Sequence, residues 1–368
     1  MKKFGFGLMR LPTVDGDYTK VDLEKFQQMA DAFIAAGGTY FDTAYPYHGG
    51  FSEQAFREVV VKRYSRDRFT ITDKMPIFLV KDFCQLQKFF DEQLERCGVE
   101  YFDYYWLHAV ANQNYDNVQK VDMFRFLREM KEAGKIRHIG FSFHDGPKLL
   151  DRILTDHPEV EFVQLQINYL DWEDPAIRSK DCYDVATRHG KPVIVMEPIK
   201  GGSLVTLPDE AEKALRAVNP YASNPSWALR FAANLDNVMM VLSGMSNIQQ
   251  MEENLNTLGK FKSLSDIEQI ALHQATQCIR EGIAIPCTGC RYCVSENTCP
   301  KNIAIPDYFA LYNDKKSLGG GISAIYYRNF TVDYGKASDC IECGLCEKHC
   351  PQHLTIRKHL KAVAVELE

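Results

Sequence analysis

The sequence lacks any uncharged apolar stretch approaching the roughly 18 residues of a membrane-spanning helix, and this excludes a helical membrane protein. It lacks an excess of basic charge: the net charge is −6, which argues against a nucleic-acid partner. Low-complexity tracts are absent apart from Gly319-Gly320-Gly321. A signal-peptide pattern is missing too, because the run after Lys2 and Lys3 is short, glycine-rich and broken by Arg10. The expected compartment is the cytoplasm, with no membrane partner. What is present is an ordinary globular composition over 368 residues, 45% hydrophobic and 25% charged. That length predicts two domains, or one large barrel with an appendage.

Twelve cysteines stand out against this background. Cys84, Cys97, Cys182 and Cys278 are scattered, whereas eight fall between Cys287 and Cys350. In a reducing compartment such crowding points to metal rather than disulfides. The first motif is Cys287-x2-Cys290-x2-Cys293-x5-Cys299-Pro300 and the second is Cys340-x2-Cys343-x2-Cys346-x3-Cys350-Pro351. Three cysteines at two-residue gaps wrap one loop around a cubane, while the Cys-Pro cysteine reaches the other cluster. The expected [4Fe-4S] ligands are therefore Cys287, Cys290, Cys293 and Cys350 for one cluster, and Cys340, Cys343, Cys346 and Cys299 for the second. A pair of zinc sites is the alternative, but zinc motifs typically supply two separated pairs rather than a triplet plus Cys-Pro given twice. The unit resembles bacterial two-cluster ferredoxins, with two extra residues before the first Cys-Pro and a long spacer over 300–339. From residue 278 onward the net charge is +1, leaving −7 for the rest. Two oxidised cubanes at roughly −2 each would bring the small domain to about −3, which suits a neutral or basic redox partner.

Upstream, short β-branched or aromatic runs recur at 39–44, 69–74, 101–108, 136–143, 162–168, 192–198 and 237–244. Helical periodicity fills the gaps, as in Leu23, Phe26, Ala30, Phe33 and Ile34, and again over 82–97, 117–133 and 174–189. A strand and a helix about every 30 residues imply a parallel sheet with helices outside. Seven strands are visible; the eighth is expected near 257–261, and Gly5-Phe6-Gly7-Leu8 reads as a separate N-terminal hairpin. No Gly-x-Gly-x-x-Gly follows the first visible strand, so an open dinucleotide-binding sheet loses to a closed (β/α)8 barrel. The expected fold class is α/β: a (β/α)8 TIM barrel over 1–280, then a small α+β or irregular ferredoxin-like two-cluster domain over 281–368. A last barrel helix is expected over about 265–281 and a further helix around 306–313.

In such a barrel, chemistry sits at the C-terminal strand ends. Those ends carry Asp42 and Tyr47 after the first visible strand, Lys74 after the second and His108 after the third. Each alone has an ordinary explanation as a cap, a packing ring, a solvated amine or a structural imidazole. Together they are a carboxylate, a phenol, an ammonium and an imidazole on adjacent strands. A phenol of pKa about 10 is a slow acid at neutral pH. An adjacent ammonium lowers that value, the carboxylate keeps the lysine charged, and the imidazole orients a carbonyl oxygen. The expected reaction class is carbonyl reduction or its reverse.

The pieces Phe41-Asp42-Thr43-Ala44-x-x-Tyr47, Thr72-Asp73-Lys74, Leu107-His108, Gly140-Phe141-Ser142 and Gln164 resemble the aldo-keto reductases over roughly residues 4–258. The resemblance implies a catalytic tetrad of Asp42, Tyr47, Lys74 and His108, with Tyr47 as general acid. It implies NADP(H) or NAD(H) extended across the barrel mouth, its carboxamide on Ser142 and Gln164. Further cofactor contacts expected are Met196, Pro198, Ile199, Lys200, Gly201, Ser243, Gly244, Glu253 and Asn254; Lys200 is either a diphosphate ligand or a solvated loop lysine. Three positions depart from the family pattern. Met196 replaces a stacking tyrosine and Phe143 an asparagine, while Gly244 and Gln250 stand where cations usually meet the adenosine 2′-phosphate. The whole chain, with Phe6-Gly7-Leu8-Met9-Arg10-Leu11 and Ile285-Pro286-Cys287-Thr288-Gly289-Cys290, resembles bacterial members that carry a C-terminal two-cluster extension.

The expected function is nicotinamide-dependent reduction of a small-molecule carbonyl to an alcohol, or the reverse. Tyr45, Trp106, Phe143, Tyr169 and Trp172 are either an aromatic substrate pocket or packing. Hydride carries two electrons and a cubane usually one, and joining them normally takes a flavin-like switch that no motif supplies. The clusters are therefore structural, or exchange electrons with a partner such as ferredoxin. The alternative is an electron-transfer or redox-sensing protein whose barrel binds a nicotinamide without carbonyl turnover.

Overall fold

A computed structural model describes the chain except residues 1–2, 175–176, 282–283, 288, 290, 295–298, 319–322 and 351. Eight parallel strands close into a barrel in chain order. They are β1 (Phe4–Gly7), β2 (Tyr40–Asp42), β3 (Thr70–Met75), β4 (Phe102–Val110), β5 (Ile136–Phe143), β6 (Phe162–Gln166), β7 (Val193–Met196) and β8 (Val238–Gly244). The ring shuts where β1 pairs with β8, Phe4 opposite Val241 and Gly7 opposite Gly244, and with β2, Phe6 opposite Phe41.

The closing strand corrects two expectations. Gly5-Phe6-Gly7 is part of a barrel strand, not of a separate hairpin, and 257–261 ends a helix rather than forming a strand. The glycine that suggested a turn is there for space. A Cβ on Gly5 would stand 2.6 Å from the Leu242 side chain and 3.0 Å from Tyr40, so only glycine lets these inward side chains fill the barrel.

Strand alternation sorts the side chains. Tyr40, Trp106, Phe162, Ile194 and Leu242 point inward as one buried layer, while Phe4, Phe6, Phe41, Ile71, Tyr105 and Phe141 belong to the core between strands and helices. Helix α1 (Leu23–Ala35) shows how the outer layer is specified. The Asp22 carboxylate caps it by accepting the Lys25 N–H, and Phe26, Met29, Ala30, Phe33 and Ile34 form its buried stripe. Phe33 meets Phe4 edge to face at 5.5 Å. The short α2 (Ser52–Phe56) follows, then α3 (Phe83–Cys97), capped by Asp82 and ended by Gly98 at φ +69°. The periodic segment 117–133 is two helices, α4 (Asn112–Val121) and α5 (Met123–Glu132), broken at Asp122, whose φ is +59°. Then come α6 (Pro147–Asp156), α7 (Ser179–Arg188), α8 (Asp209–Val218), α9 (Asn224–Asn234), α10 (Ile248–Gly259) and α11 (Asp266–Glu281).

Two compact units result. The first holds the barrel, with residues 1–172, 178–199 and 226–264; the second holds 173–177, 200–225 and 265–368. In the second, α8 packs on α11. Beyond α11 this unit contains α12 (Ile305–Leu318), α13 (Ser323–Asp333), α14 (Leu345–Lys348) and α15 (Ile356–Leu367), with a parallel bridge between Ile303 and Gly335. Its core is assembled from Ile285, Ile303, Ile305, Tyr308, Phe309, Tyr327, Ile356, Leu360 and Val363 together with cysteines. Two side chains tie its polar backbone in: Asn313 both donates to Ile285 O and accepts from Ile285 N, and the Tyr327 hydroxyl donates to Glu368 and accepts from Ala337 N. Among the described residues no helix is long and apolar enough to cross a membrane.

Candidate active site and cysteine-lined cavities

The period of two along each strand puts Asp42, Lys74 and His108 on the inward face near the C-terminal ends of β2, β3 and β4. The turn after β2 brings Tyr47 to them. Lys74 Nζ donates to Asp42 Oδ1 at 2.8 Å and to Thr43 O at 2.6 Å. It lies 4.8 Å from the Tyr47 ring centroid and 5.1 Å from that of Trp106. The Tyr47 and His108 rings meet edge to face at 6.0 Å. All four groups thus form one cluster. Asp42 and Lys74 are buried, whereas Tyr47 and His108 keep part of their surface open.

Burial governs the electrostatics. It pushes the Tyr47 phenol above its usual pKa; the positive charge of Lys74 opposes this and the Asp42 carboxylate reinforces it. The expected net acidification is not met, because desolvation outweighs the ammonium. Tyr47 is a phenol that keeps its proton through the neutral range. The His108 imidazole is held well below its ordinary value by burial first, then by the charges of Lys74 and His144, so it is neutral. Lys74 is held above the usual lysine value because Asp42 and Tyr47 outweigh the opposing effect of burial. Burial pushes Asp42 up against the pull of Lys74. Asp42 Oδ2 and His108 Nδ1 are buried and have no hydrogen-bond partner among the described residues.

Two supports of this cluster escape a motif search. His48, directly after Tyr47, has φ +53° and is buried. Its Nε2 accepts the Leu11 N–H at 3.1 Å, so Nδ1 carries the proton and donates to Tyr18 O at 2.8 Å, with the Tyr18 ring stacked at 4.6 Å. After His108, Ala109 takes φ +58° where the β4–β5 register shifts. This bulge is pinned by Ser142 Oγ, which accepts Ala109 N–H at 2.7 Å, and by Asn114, whose amide donates to Ala109 O at 2.9 Å. A histidine before Gly49-Gly50 was the available signal for the first; the second has none in sequence.

The cofactor residues divide. Ser142 and Gln164 are direct neighbours across β5 and β6, both buried. Because Ser142 accepts the Ala109 N–H, its own hydroxyl proton is free to donate, so serine and glutamine together fit a carboxamide. Met196 ends β7 opposite Gln166, and Pro198 and Ile199 follow it. Lys200 and Gly201 fall in the second unit, in a turn with φ +48° and +66°. Asn254 on α10 donates to Ser243 Oγ at 3.0 Å, so these two meet each other. Gly244 is exposed, and Glu253 is half-buried on the same helix as Asn254. Gln250 accepts from Ser246 N, whereas Arg10 lays its side chain over Gly244, where an added Cβ would be 3.2 Å away. Arg10 therefore brings a cation to a segment whose own sequence has none there.

The candidate aromatic pocket is largely packing. Trp106, Phe143 and Tyr169 are buried, Trp172 packs edge-on against Tyr183 and Phe231, and Tyr45 lies under the Arg96 guanidinium. The exposed ring beside the cluster is instead Phe78, 6.1 Å from His108.

In the second unit the cysteines line two small pockets. One has Cys299, Cys340, Cys343 and Cys346 around it, with Ile303, Ile305, Leu360 and Arg357. The other has Cys287, Cys293 and Cys350, with Phe309, Ile356 and Arg291; Cys290 lies outside the described residues. Soft thiols in apolar walls are a donor set suited to iron–sulfur centres. Each arginine is paired, Arg291 with Asp307 and Arg357 with Glu347.

Comparison with known proteins agrees across both units. Residues 3–275 match the model of the aldo/keto reductase family, and residues 286–355 match a 4Fe-4S dicluster domain. An aldo-keto reductase of Mycobacterium avium (strain 104) is 25% identical over 275 residues, 74% of this chain and 90% of that protein. The L-galactose dehydrogenase of Arabidopsis thaliana is 24% identical over 300 residues, 77% of this chain and 90% of that protein. Among solved structures, aldo-keto reductase AKR11C1 from Bacillus halodurans in its holo form superposes with a TM-score of 0.59 at 21% identity, covering 74% of this chain and 91% of that one. The thermostable aldo-keto reductase Tm1743 gives the same TM-score at 19% identity, over 74% and 94%. At these identities the structures speak for the fold.

Proposed function

The chain belongs to the aldo/keto reductase family and carries a C-terminal 4Fe-4S domain; on that premise we propose that the barrel reduces a small-molecule carbonyl to an alcohol, or runs the reverse. The observation that carries this reading is the Lys74 ammonium, ion-paired to Asp42 at 2.8 Å and set against the Tyr47 phenol, with His108 at the edge of that ring. A reduced nicotinamide, NADPH or NADH, would supply the hydride. Tyr47 gives its proton to the carbonyl oxygen. A phenol held protonated by burial is a poor acid toward water but a sufficient one toward a developing alkoxide, a far stronger base. Lys74 then stabilises the phenolate that remains, and Asp42 keeps Lys74 charged and placed. Neutral His108 donates to the same carbonyl oxygen and orients it. Ser142 and Gln164 hold the cofactor carboxamide, and Met196, Pro198, Ile199, Lys200, Gly201, Ser243, Gly244, Glu253 and Asn254 are its further contacts.

The reductase domain spans 1–280 and a cluster domain 281–368, in the cytoplasm. Two [4Fe-4S] clusters sit on Cys287, Cys290, Cys293 and Cys350, and on Cys340, Cys343, Cys346 and Cys299. They hold the second unit together or exchange single electrons with a protein partner such as ferredoxin.

The test is Tyr47→Phe. Turnover should fall about 10²–10⁴-fold, with nicotinamide binding and iron content unchanged. Near-normal activity removes Tyr47 from the mechanism. A wild-type protein that binds nicotinamide yet reduces no carbonyl would favour a redox-sensing or electron-transfer role instead.

A further inference from the structure

Alternation on β3 turns Asp73 away from the barrel interior, onto the helix-facing side directly beside Lys74. Asp73, Glu53 of α2 and Cys97 of α3 are fully buried, and their ligating atoms lie within 4.8 Å of one another. Asp73 Oδ1 accepts the Lys74 backbone N–H at 2.8 Å, and Asp73 Oδ2 is offered only the weak Cys97 thiol at 3.6 Å. Glu53 Oε2 accepts Arg96 Nη1 at 3.1 Å. Glu53 Oε1 has no donor among the described residues, although the two carboxyls are within hydrogen-bonding reach of each other. Gln93 donates one amide N–H to Lys74 O at 3.0 Å and accepts from the Tyr105 hydroxyl; its other N–H faces Glu53 without closing a hydrogen bond to Oε1.

Two ionised carboxylates here would leave one buried negative charge uncompensated and one oxygen unanswered. The groups that face the pair are Arg96, Cys97 and Gln93 from α3, Lys74 from β3 and Tyr105 from β4. Arg96 is the cation on the pair, and it also binds Glu92. A proton between the acids removes both difficulties: it gives Glu53 Oε1 its donor and leaves one negative charge for Arg96. Burial and the proximity of Glu53 push Asp73 in the same direction, well above the usual carboxylate range. A metal ion would also bridge such oxygens, but the guanidinium on Glu53 Oε2 already brings a positive charge to the pair, so metal content is one outcome of the test.

We propose that Glu53 and Asp73 share a single proton, and that the neutralised Asp73 is a positioning residue for the barrel's reaction. It fixes the backbone N–H of Lys74 from behind, while Gln93 fixes the carbonyl. Because it adds no negative charge, the ammonium is left to Asp42 and Tyr47. An ionised Asp73 would draw on the Lys74 charge from the far side and raise the phenol further. The proposal rests on the roles given above to Lys74 and Tyr47, so its primary test involves no turnover.

Infrared difference spectra of the holoprotein, wild type against Asp73→Asn, read the proton directly. At neutral pH the wild type should show the carbonyl stretch of a neutral carboxylic acid that is missing from the variant, whichever acid holds the proton. No such difference band overturns the shared proton, and so does a second metal, other than iron, that co-purifies with the wild type and is lost in the variant. The amide of Asp73→Asn can still accept from Lys74 N and can donate to Glu53. Its kcat should therefore stay within about threefold of wild type while Asp73→Ala loses at least tenfold. Equal impairment of the two overturns the positioning role. Where Asp73→Ala does not fold, Asp73→Asn decides alone, since a loss of tenfold or more by this isostere has the same consequence. A Tyr47→Phe variant that remains active would sink the catalytic reading while leaving the infrared band in place.

Discussion

The two units of this chain hold their chemistry in different ways. In the barrel the reactive groups are fixed by the fold itself. Lys74 is 1% exposed and already paired to Asp42, His48 clamps two backbone segments beside Tyr47, and an interior aromatic layer lies beneath. In the second unit the thiols line pockets whose other walls include isoleucines, Leu354, Leu360 and Phe309, with Arg357 at one and Arg291 at the other. The barrel is organised before any ligand arrives; the cysteine unit has a small core and counts cysteines as part of it. With cysteines built into that core, metal binding there would be coupled to its stability.

That contrast can be broken most severely by removing iron. Purified anaerobically, the chain should carry about eight iron atoms, four for each cluster. Chelation should strip hydrogen-exchange protection from α12 and α15 while β3 to β6 keep theirs. Retained protection in α12 and α15, or stoichiometric zinc in place of iron, would contradict the account. Next in size is the buried ion pair. Lys74→Met leaves Asp42 charged and unpaired, and should cost about 3–5 kcal/mol of barrel stability in denaturant titrations, much of it restored by adding Asp42→Asn.

How far these features were legible in the sequence follows from their range. Asp42, Lys74 and His108 could be read because the strand period of two fixes their face without knowledge of the neighbours. The cysteine sets could be read because their spacing is local, two residues at a time. β1 could not: glycine marks turns more often than barrel interiors, and only Leu242 and Tyr40, more than 30 residues away on either strand, show why Gly5 is needed. The net rise of the Tyr47 pKa was equally hidden, since charge neighbours can be inferred from motifs but depth of burial cannot. The Glu53–Asp73 pair requires α2, β3 and α3 together, and the aromatic residues that suggested a pocket were drawn into the core by the same packing.

Smaller effects sharpen the comparison. His108 is neutral in the folded barrel because its pKa lies below the ordinary 6.5. As pH falls through 6.5, the unfolded chain takes up this proton first, so the contribution of His108 to stability is flat above that value and declines below it, on top of those of the other histidines whose values are lowered. The decline should be at most about 1.4 kcal/mol per pH unit until the folded value is reached. His108→Gln should flatten this dependence by the same amount; an unchanged slope would place a protonated imidazole in the site. Least of all, Cys84→Ser, at an exposed thiol on Asp82, should alter stability by no more than about 0.5 kcal/mol and iron content not at all, because Cys84 is outside the proposed ligand sets.

The most direct measurement is an anaerobic assay of NADH and NADPH oxidation against a panel of aldehydes and ketones, following cluster absorbance in the same cuvette, for wild type and Tyr47→Phe. The account predicts carbonyl-dependent oxidation by the wild type that the Tyr47→Phe protein loses, while both proteins bind the nicotinamide equally. Oxidation that proceeds without a carbonyl and bleaches the clusters, unaffected by the loss of the phenol, would contradict it.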